Sequence, residues 1–244
     1  MAIFVFDMDG TLTPARLPMT AEFAINFYEW QKSHKSFIAT GSDYKKVEEQ
    51  LPTSVIHSFT GIYSSMGNML TAQGSVVYQN SFVPSSELID RLEYFRKTTK
   101  YPCQLYPNYI EERIGMINFS VLGRDCPYSE RERYLTWDRN NHERQIIAQE
   151  LRKDFPEYDI AVGGSISMDI TPKGYGKEQI AKHLRQTYPT EKIIFFGDKT
   201  FEGGNDYELA EALRHLENTT VVQVDSPEDV LMYLKNSDHA FSVD

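Results

Sequence analysis

Cysteine is scarce in this 244-residue sequence. Cys103 and Cys126 are the only two, without metal-ligand spacing, so neither a disulfide framework nor a zinc site is expected. Positive charge is also in deficit: 25 Lys and Arg face 35 Asp and Glu, leaving a formal charge of −10 and a pI near 5.1. That balance argues against nucleic acid or an anionic membrane as partner, and an anionic substrate requires locally concentrated basic residues. No apolar run approaches membrane-spanning length. The chain opens on strand-like residues rather than a charged, then apolar, then small-residue leader, so no signal peptide is expected and a reduced cytoplasmic setting is. Internal repeats and low-complexity segments are missing too. What is present is an ordinary soluble composition, 41% hydrophobic and 25% charged, enough for one large domain or two modest ones.

The stretch that organises the rest is Met1-Ala-Ile-Phe-Val-Phe-Asp-Met-Asp-Gly-Thr-Leu-Thr-Pro14. Ile3 to Phe6 is a short apolar run that predicts a buried strand. It delivers Asp7 and Asp9 to its carboxyl end, where open α/β sheets place their chemistry, and Gly10 then lets the chain turn. Asp7-Met-Asp9-Gly-Thr11 resembles the signature of the haloacid dehalogenase superfamily of phosphotransferases, which implies Asp7 as nucleophile toward phosphorus and Asp9 as general acid and base. The spacing suits that chemistry: a carboxylate is a competent nucleophile toward phosphorus. A second carboxyl two residues on suits proton transfer to and from the oxygens involved. Two carboxylates beside a phosphate repel it unless a cation intervenes, so the resemblance also implies Mg²⁺.

Farther along, Thr20 predicts an N-cap for an amphipathic helix carrying Phe23, Phe27 and Trp30. Phe37 to Ala39 predicts a second strand, ending in Thr40-Gly-Ser-Asp43. A hydroxyl of Thr40 or Ser42 in the crevice at that strand end suits phosphate oxygen; a plain cap at Ser42 for a helix starting at Asp43 fits equally well. Strands and helices then follow in non-alternating order. Small strands and turns are predicted from Phe59 to Tyr78, a helix from Ser85, strands over 104–110 and 114–121, one long helix from Ser129 to Phe155, and strands over 159–162 and 166–170. Alternation resumes with a helix from Lys177, a strand over 193–196, a helix near 207–213, a strand over 220–224 and a last helix opened by Ser226-Pro227. The expected architecture is α/β: a doubly wound parallel-sheet core, residues 1–75 and 177–244, with an inserted α+β cap over 76–176.

A second motif, Phe195-Phe-Gly-Asp198-Lys-Thr-Phe-Glu-Gly-Gly-Asn205-Asp206, sets another carboxylate at a strand end. The superfamily resemblance implies that Asp198, with Asn205 and Asp206, completes a Mg²⁺ site begun by Asp7 and Asp9. It also implies that Lys177, on its own readable as a surface lysine, neutralises the nucleophile and the phosphoryl group. The inserted segment narrows the family. Arg113-Ile-Gly-Met-Ile-Asn-Phe-Ser-Val-Leu-Gly-Arg124, Arg131, Gly163-Gly-Ser-Ile-Ser-Met-Asp169 and Gly176-Lys177 resemble the eukaryotic-type phosphomannomutases. So do Leu12-Thr-Pro-Ala-Arg16, Gly41-Ser-Asp-Tyr44, Glu49-Gln-Leu51 and Phe195 to Thr200. The resemblance implies that Arg113, Arg124 and Arg131 clamp the phosphate not being transferred and that Arg16 reaches it or the sugar. Ser167 and Asp169 would bind sugar hydroxyls. For Arg131 a solvated helix face is the other reading.

The implied reaction interconverts mannose 1-phosphate and 6-phosphate through an aspartyl-phosphate on Asp7, with Mg²⁺ and a hexose 1,6-bisphosphate activator, in a homodimer formed through the cap. Three positions depart from the family pattern: Val121 for proline, Ser65-Met-Gly-Asn68 for Glu-Asn-Gly, and Thr40 for glycine. A sugar-phosphate phosphatase using the same carboxylates is the second reading. A non-catalytic sugar-phosphate binder is the third, and it is disfavoured by the intact set Asp7, Asp9, Lys177 and Asp198.

Overall fold

The computed structural model describes residues 2–102, 104–163 and 165–237, so Cys103 and the central Gly164 of the Gly163–Asp169 motif lie outside the described residues. The chain divides into two compact units, Met1–Gln79 with Tyr175–Asp244, and Asn80–Gly174. The first unit opens with β1 (Ala2–Phe6), α1 (Ala21–Gln31), β2 (Lys35–Ala39), α2 (Tyr44–Gln50), α3 (Thr53–Ser58) and β3 (Gly61–Ser64). It continues through β4 (Met69–Ala72) and β5 (Ser75–Gln79). Because β5 pairs antiparallel with β4, it extends this unit's sheet past residue 75, where sequence alone had ended it.

The second unit holds α4 (Ser86–Lys97), β6 (Ile110–Arg113), β7 (Met116–Phe119), α5 (Tyr128–Asn141), α6 (Glu143–Asp154), β8 (Tyr158–Gly163) and β9 (Ser167–Pro172). The first unit is then completed by α7 (Glu178–Thr187), β10 (Lys192–Gly197), α8 (Tyr207–Arg214), β11 (Thr219–Gln223) and α9 (Pro227–Ser237).

The sheet of the first unit runs β11-β10-β1-β2-β3-β4-β5, parallel from β11 to β3 and antiparallel beyond. Its central strands β1 and β10 are apolar and buried on both faces, as the middle of a sheet covered on two sides requires. Phe4 and Phe6 of β1 pack with Phe23, Phe27 and Trp30 of α1, Val47 of α2 and Val230 of α9. Ile3 and Val5 pack on the other side with Ile180 and Leu184 of α7 and Leu209 and Leu213 of α8. Successive residues of one strand thus feed two cores. The chain leaves β1 toward β2 on one side and later returns to its other side as β10. The switch point therefore lies between β1 and β10, where the motifs of Asp7 and Asp198 end their strands.

The second unit is an antiparallel sheet, β6-β7-β9-β8, with helices on one face. Leu88, Leu92 and Phe95 of α4 and Ile147 and Leu151 of α6 pack onto Ile117, Phe119, Met168 and Ile170. The opposite pleat carries Glu111, Asn118 and Asp169 in one cross-strand row. The long helix expected from Ser129 to Phe155 is two helices instead. His142 adopts a left-handed φ of 55° between them, and the buried Asp138 binds both the Arg144 backbone N–H (3.0 Å) and its Nε (2.7 Å) across the break. The strand expected over 104–110 begins only at Ile110. Among the described residues no helix is long and apolar enough to cross a membrane, and Cys126 is a free, buried thiol.

Candidate active site

Asp7 extends β1 by donating its N–H to Phe196 O at 2.8 Å, so the sheet ladder fixes its backbone. Gly10 follows at a φ of +89°, and a Cβ there would lie 2.5 Å from Asp198 Oδ2. Both the conformation and the space demand glycine. The result brings Asp7, Asp198 and Asp206 together, with one carboxylate oxygen from each within 4.8 Å of the others.

Lys177, the N-cap residue of α7, is almost fully buried among them. Its Nζ donates to Asp7 Oδ1 at 2.7 Å and to Asp206 Oδ1 at 2.6 Å. Burial works against the ammonium, but the two carboxylates outweigh it and hold the Lys177 pKa above its usual value. Burial likewise pushes Asp7 up to about 7, against the pull of Lys177 and with the repulsion of Asp206 and Asp198 added. Asp7 Oδ2 and Asp198 Oδ1 are buried without a hydrogen-bond partner. Carboxylate oxygens in that condition, beside a third carboxylate, fit a hard divalent cation.

Other residues singled out in the sequence take different positions. Asp9 stays outside the three-carboxylate group. Its Oδ1 accepts from the Arg16 backbone N–H (2.7 Å) and from Gln50 Nε2 (3.1 Å). Arg16 is exposed with a φ of 62°, and its backbone rather than its guanidinium makes that contact. Asn205 Nδ2 donates to Asp206 Oδ1 at 3.4 Å and so backs a carboxylate of the group. Thr40 is buried, and its Oγ1 accepts from the Ser42 N–H at 3.1 Å. Ser42 does not cap α2; Asp43 does, its carboxylate accepting from the Lys46 N–H at 2.9 Å, because a carboxylate one residue nearer the helix reaches the open N–H groups. The departure Ser65-Met-Gly67 is a turn of three consecutive left-handed residues, φ 51°, 62° and 86°. Asn68 Nδ2 pins it through Ser65 O, and Gln179 through Met66 O.

In the second unit, Arg113 and Arg124 both meet Glu111, Arg113 at 3.1 Å and Arg124 in closer contact. Arg124 also donates to Asn118 Oδ1, and Asn118 Nδ2 donates to Asp169 Oδ1 at 2.5 Å. Burial first, then the neighbouring Arg113 and Arg131, bring the Arg124 pKa down against Glu111 and Asp169, though a guanidinium keeps its charge. Arg131 donates to the backbone carbonyls of Arg124 and, at 3.5 Å, Cys126, so it braces the loop that bears Arg124. Ser167 is buried, its Oγ donating to Gly163 O at 3.4 Å.

Three participants carried no role on sequence grounds. Gln50 sits in the Glu49-Gln-Leu51 motif, but only the fold brings it 41 residues back to Asp9. Lys199, beside Asp198, pairs with it at 2.8 Å. Asn118 lies inside the Arg113–Arg124 motif, and the fold pairs it with Asp169 on the face opposite Ile117 and Phe119.

If Asp7 is a cation ligand, proton and metal compete for it. The thermal shift produced by saturating Mg²⁺ is expected to be larger at pH 8, above the raised Asp7 value of about 7, than at pH 5.5. An equal shift at both pH values would remove Asp7 from the ligand set.

A family model described as eukaryotic phosphomannomutase matches residues 25–238. The phosphomannomutase of Spinacia oleracea is 34% identical over 236 residues, covering 94% of this chain and 92% of that protein. A probable phosphomannomutase of Caenorhabditis elegans is 34% identical over 246 residues, covering 96% and 94%. Among solved structures, a haloacid dehalogenase-like hydrolase from Bacteroides thetaiotaomicron superposes with a TM-score of 0.61 at 11% identity, covering 96% of this chain and 98% of that one, which is a likeness of fold. With a sheet switch point furnished with Asp7, Lys177, Asp198 and Asp206 and relatives matched nearly end to end, the chain belongs to the eukaryotic phosphomannomutase family.

Proposed function

We propose that this protein is a Mg²⁺-dependent phosphomannomutase, interconverting mannose 1-phosphate and mannose 6-phosphate through an aspartyl-phosphate on Asp7. The observation that carries the proposal is the intact nucleophile site, in which a buried Asp7 carboxylate has one oxygen on Lys177 and the other free of hydrogen bonds. Asp7 attacks phosphorus, the bond from phosphorus to the sugar oxygen breaks, and Asp9 protonates that oxygen. In the return half, Asp9 takes the proton of the incoming sugar hydroxyl, that oxygen attacks phosphorus, and Asp7 is released. The Arg16 N–H and Gln50 amide hold Asp9 through one oxygen, leaving the other for proton transfer. Lys177 neutralises charge on Asp7 as the phosphoryl group arrives.

Asp7, Asp198 and Asp206 would hold Mg²⁺, with Asn205 supporting Asp206. Bound there, the ion keeps the carboxylates ionised and lessens their repulsion of phosphate.

Arg113 and Arg124 are assigned to the phosphate not being transferred, with Arg131 bracing Arg124, and Ser167 and Asp169 to the sugar. Arg16 is assigned to the same phosphate or to the sugar. Thr40 and Ser42 are assigned to the phosphate at Asp7. Residues 80–174 would thus act as the specificity unit, a hexose 1,6-bisphosphate would prime Asp7, and the enzyme would work as a cytoplasmic homodimer.

The test supplies purified protein with Mg²⁺, mannose 1-phosphate and a trace of glucose 1,6-bisphosphate, and follows mannose 6-phosphate and free phosphate together. Mannose 6-phosphate with little free phosphate, dependent on the bisphosphate, is the expected result. Free phosphate as the main product would make the protein a hydrolase.

A further inference from the structure

The open pleat of the second unit's sheet puts a carboxylate where a phosphate oxygen would be expected. Glu111 lies on the edge strand β6, in register with Asn118 of β7 and Asp169 of β9, on the face turned away from α4 and α6. Arg113 and Arg124 converge on the same atom, Glu111 Oε2, the first through Nη2 at 3.1 Å and the second through Nε in closer contact. Two guanidiniums sharing one anionic oxygen is the arrangement that also binds a phosphate oxygen. The side chains are partly wet, 40% exposed for Glu111, 35% for Arg113 and 26% for Arg124, so an incoming anion displaces the carboxylate at modest cost. Arg124 stays in place meanwhile, because Asn118 accepts from it and Arg131 donates to its backbone carbonyl.

We propose that Glu111 is a positioning residue for the arginine pair, an internal counter-ion that holds Arg113 and Arg124 converged and limits how tightly they retain a sugar phosphate. This rests on the reading that these arginines bind the phosphate not being transferred. A sugar bisphosphate made midway through a mutase cycle must let go and turn before its second phosphate can react. Arginines with no internal competitor would trap it. Glu111 reclaims its two partners as the phosphate leaves, so release is eased without either guanidinium losing its place.

The test uses Glu111→Gln, which keeps the shape and an acceptor oxygen but removes the charge. With the Asp7→Asn substitution added to stop turnover, calorimetric titration of glucose 1,6-bisphosphate is expected to show about two- to fivefold tighter binding for Glu111→Gln than for the Glu111 protein. With Asp7 intact, KM for mannose 1-phosphate and kcat are expected to fall together, the mark of a trapped intermediate. A carboxylate that only held the strand in shape would give weaker binding when neutralised. Equal or weaker binding by Glu111→Gln, while Arg113→Gln and Arg124→Gln each weaken it, overturns the proposal alone. Arginine variants that bind the bisphosphate as well as the unsubstituted protein overturn the assignment of the arginines, and this proposal with it.

Discussion

Asp7→Asn is expected to lower turnover of mannose 1-phosphate by at least about 10⁴-fold while leaving the protein as stable as before, or more so. The loss follows from the chemistry: an amide oxygen does not form the acyl phosphate through which the group must pass. The stability follows from burial. Desolvation raises Asp7 from 3.8 to about 7 despite the ammonium at 2.7 Å. A carboxyl raised in the folded state contributes stability fully below its unfolded value, and that contribution is lost as pH climbs through the folded value. At pH 8, without metal, the ionised Asp7 therefore costs the fold a few kcal/mol. Asparagine removes that charge and still offers Lys177 an oxygen. Thermal unfolding in chelator at pH 8 checks the sign; a clear fall in melting temperature would mean that the Asp7–Lys177 pair is a net support of the fold.

Lys177→Met is expected to have the opposite balance, with both activity and fold suffering. The ammonium is 1% exposed and serves two carboxylates at 2.7 and 2.6 Å. Methionine fills a similar volume but leaves Asp7 and Asp206 buried, adjacent and uncompensated. Breaking a buried pair in this way costs about 3–5 kcal/mol. Asp7 would move further upward, since the partner that lowers it is gone. Urea unfolding at pH 7.5 reads the stability, and the loss should shrink as pH falls and the carboxylates protonate. Mg²⁺ should recover part of the stability and little of the rate, because the role proposed for the lysine includes neutralising the arriving phosphoryl group. Full-rate turnover by Lys177→Met would reduce the residue to a structural cation.

The two substitutions separate functions that one cluster combines. Asp7 carries an energetic penalty that the fold tolerates for the sake of a reactive carboxylate, and Lys177 limits that penalty. The same logic extends to Gly10 and Gly197. A Cβ at the first would crowd Asp198 at 2.5 Å, and at the second Asp206 at 2.7 Å. Side-chain-free positions are what allow three carboxylates to approach one another.

Much of this was legible in the residues themselves. Ile3 to Phe6 and Ile193 to Phe196 are apolar runs too short for helices and apolar on both faces, which is the mark of central parallel strands. Their ends carry Asp7 and Asp198 because a parallel sheet sends all its strands' carboxyl ends to one edge. Helix α1 follows from Thr20 and its aromatic stripe. Local sequence governs such features, since capping and periodicity act within a turn or two of the chain.

Tertiary structure alone decided the rest. The break between α5 and α6 depends on Asp138 turning back to Arg144, a buried ion pair that no periodicity announces. The cap of α2 belongs to Asp43 rather than Ser42 because one residue of offset decides which side chain reaches an open N–H. Gln50 meets Asp9, Lys177 meets Asp206 as well as Asp7, and Glu111 draws two arginines to one oxygen. Each of these is a contact between side chains that the sheets bring into reach. Sequence specified which chemical groups this protein possesses and the strand ends that bear them. Only the fold determined which of those groups share a hydrogen bond or a charge, because such interactions fall off within a few ångströms and the chain path sets those distances.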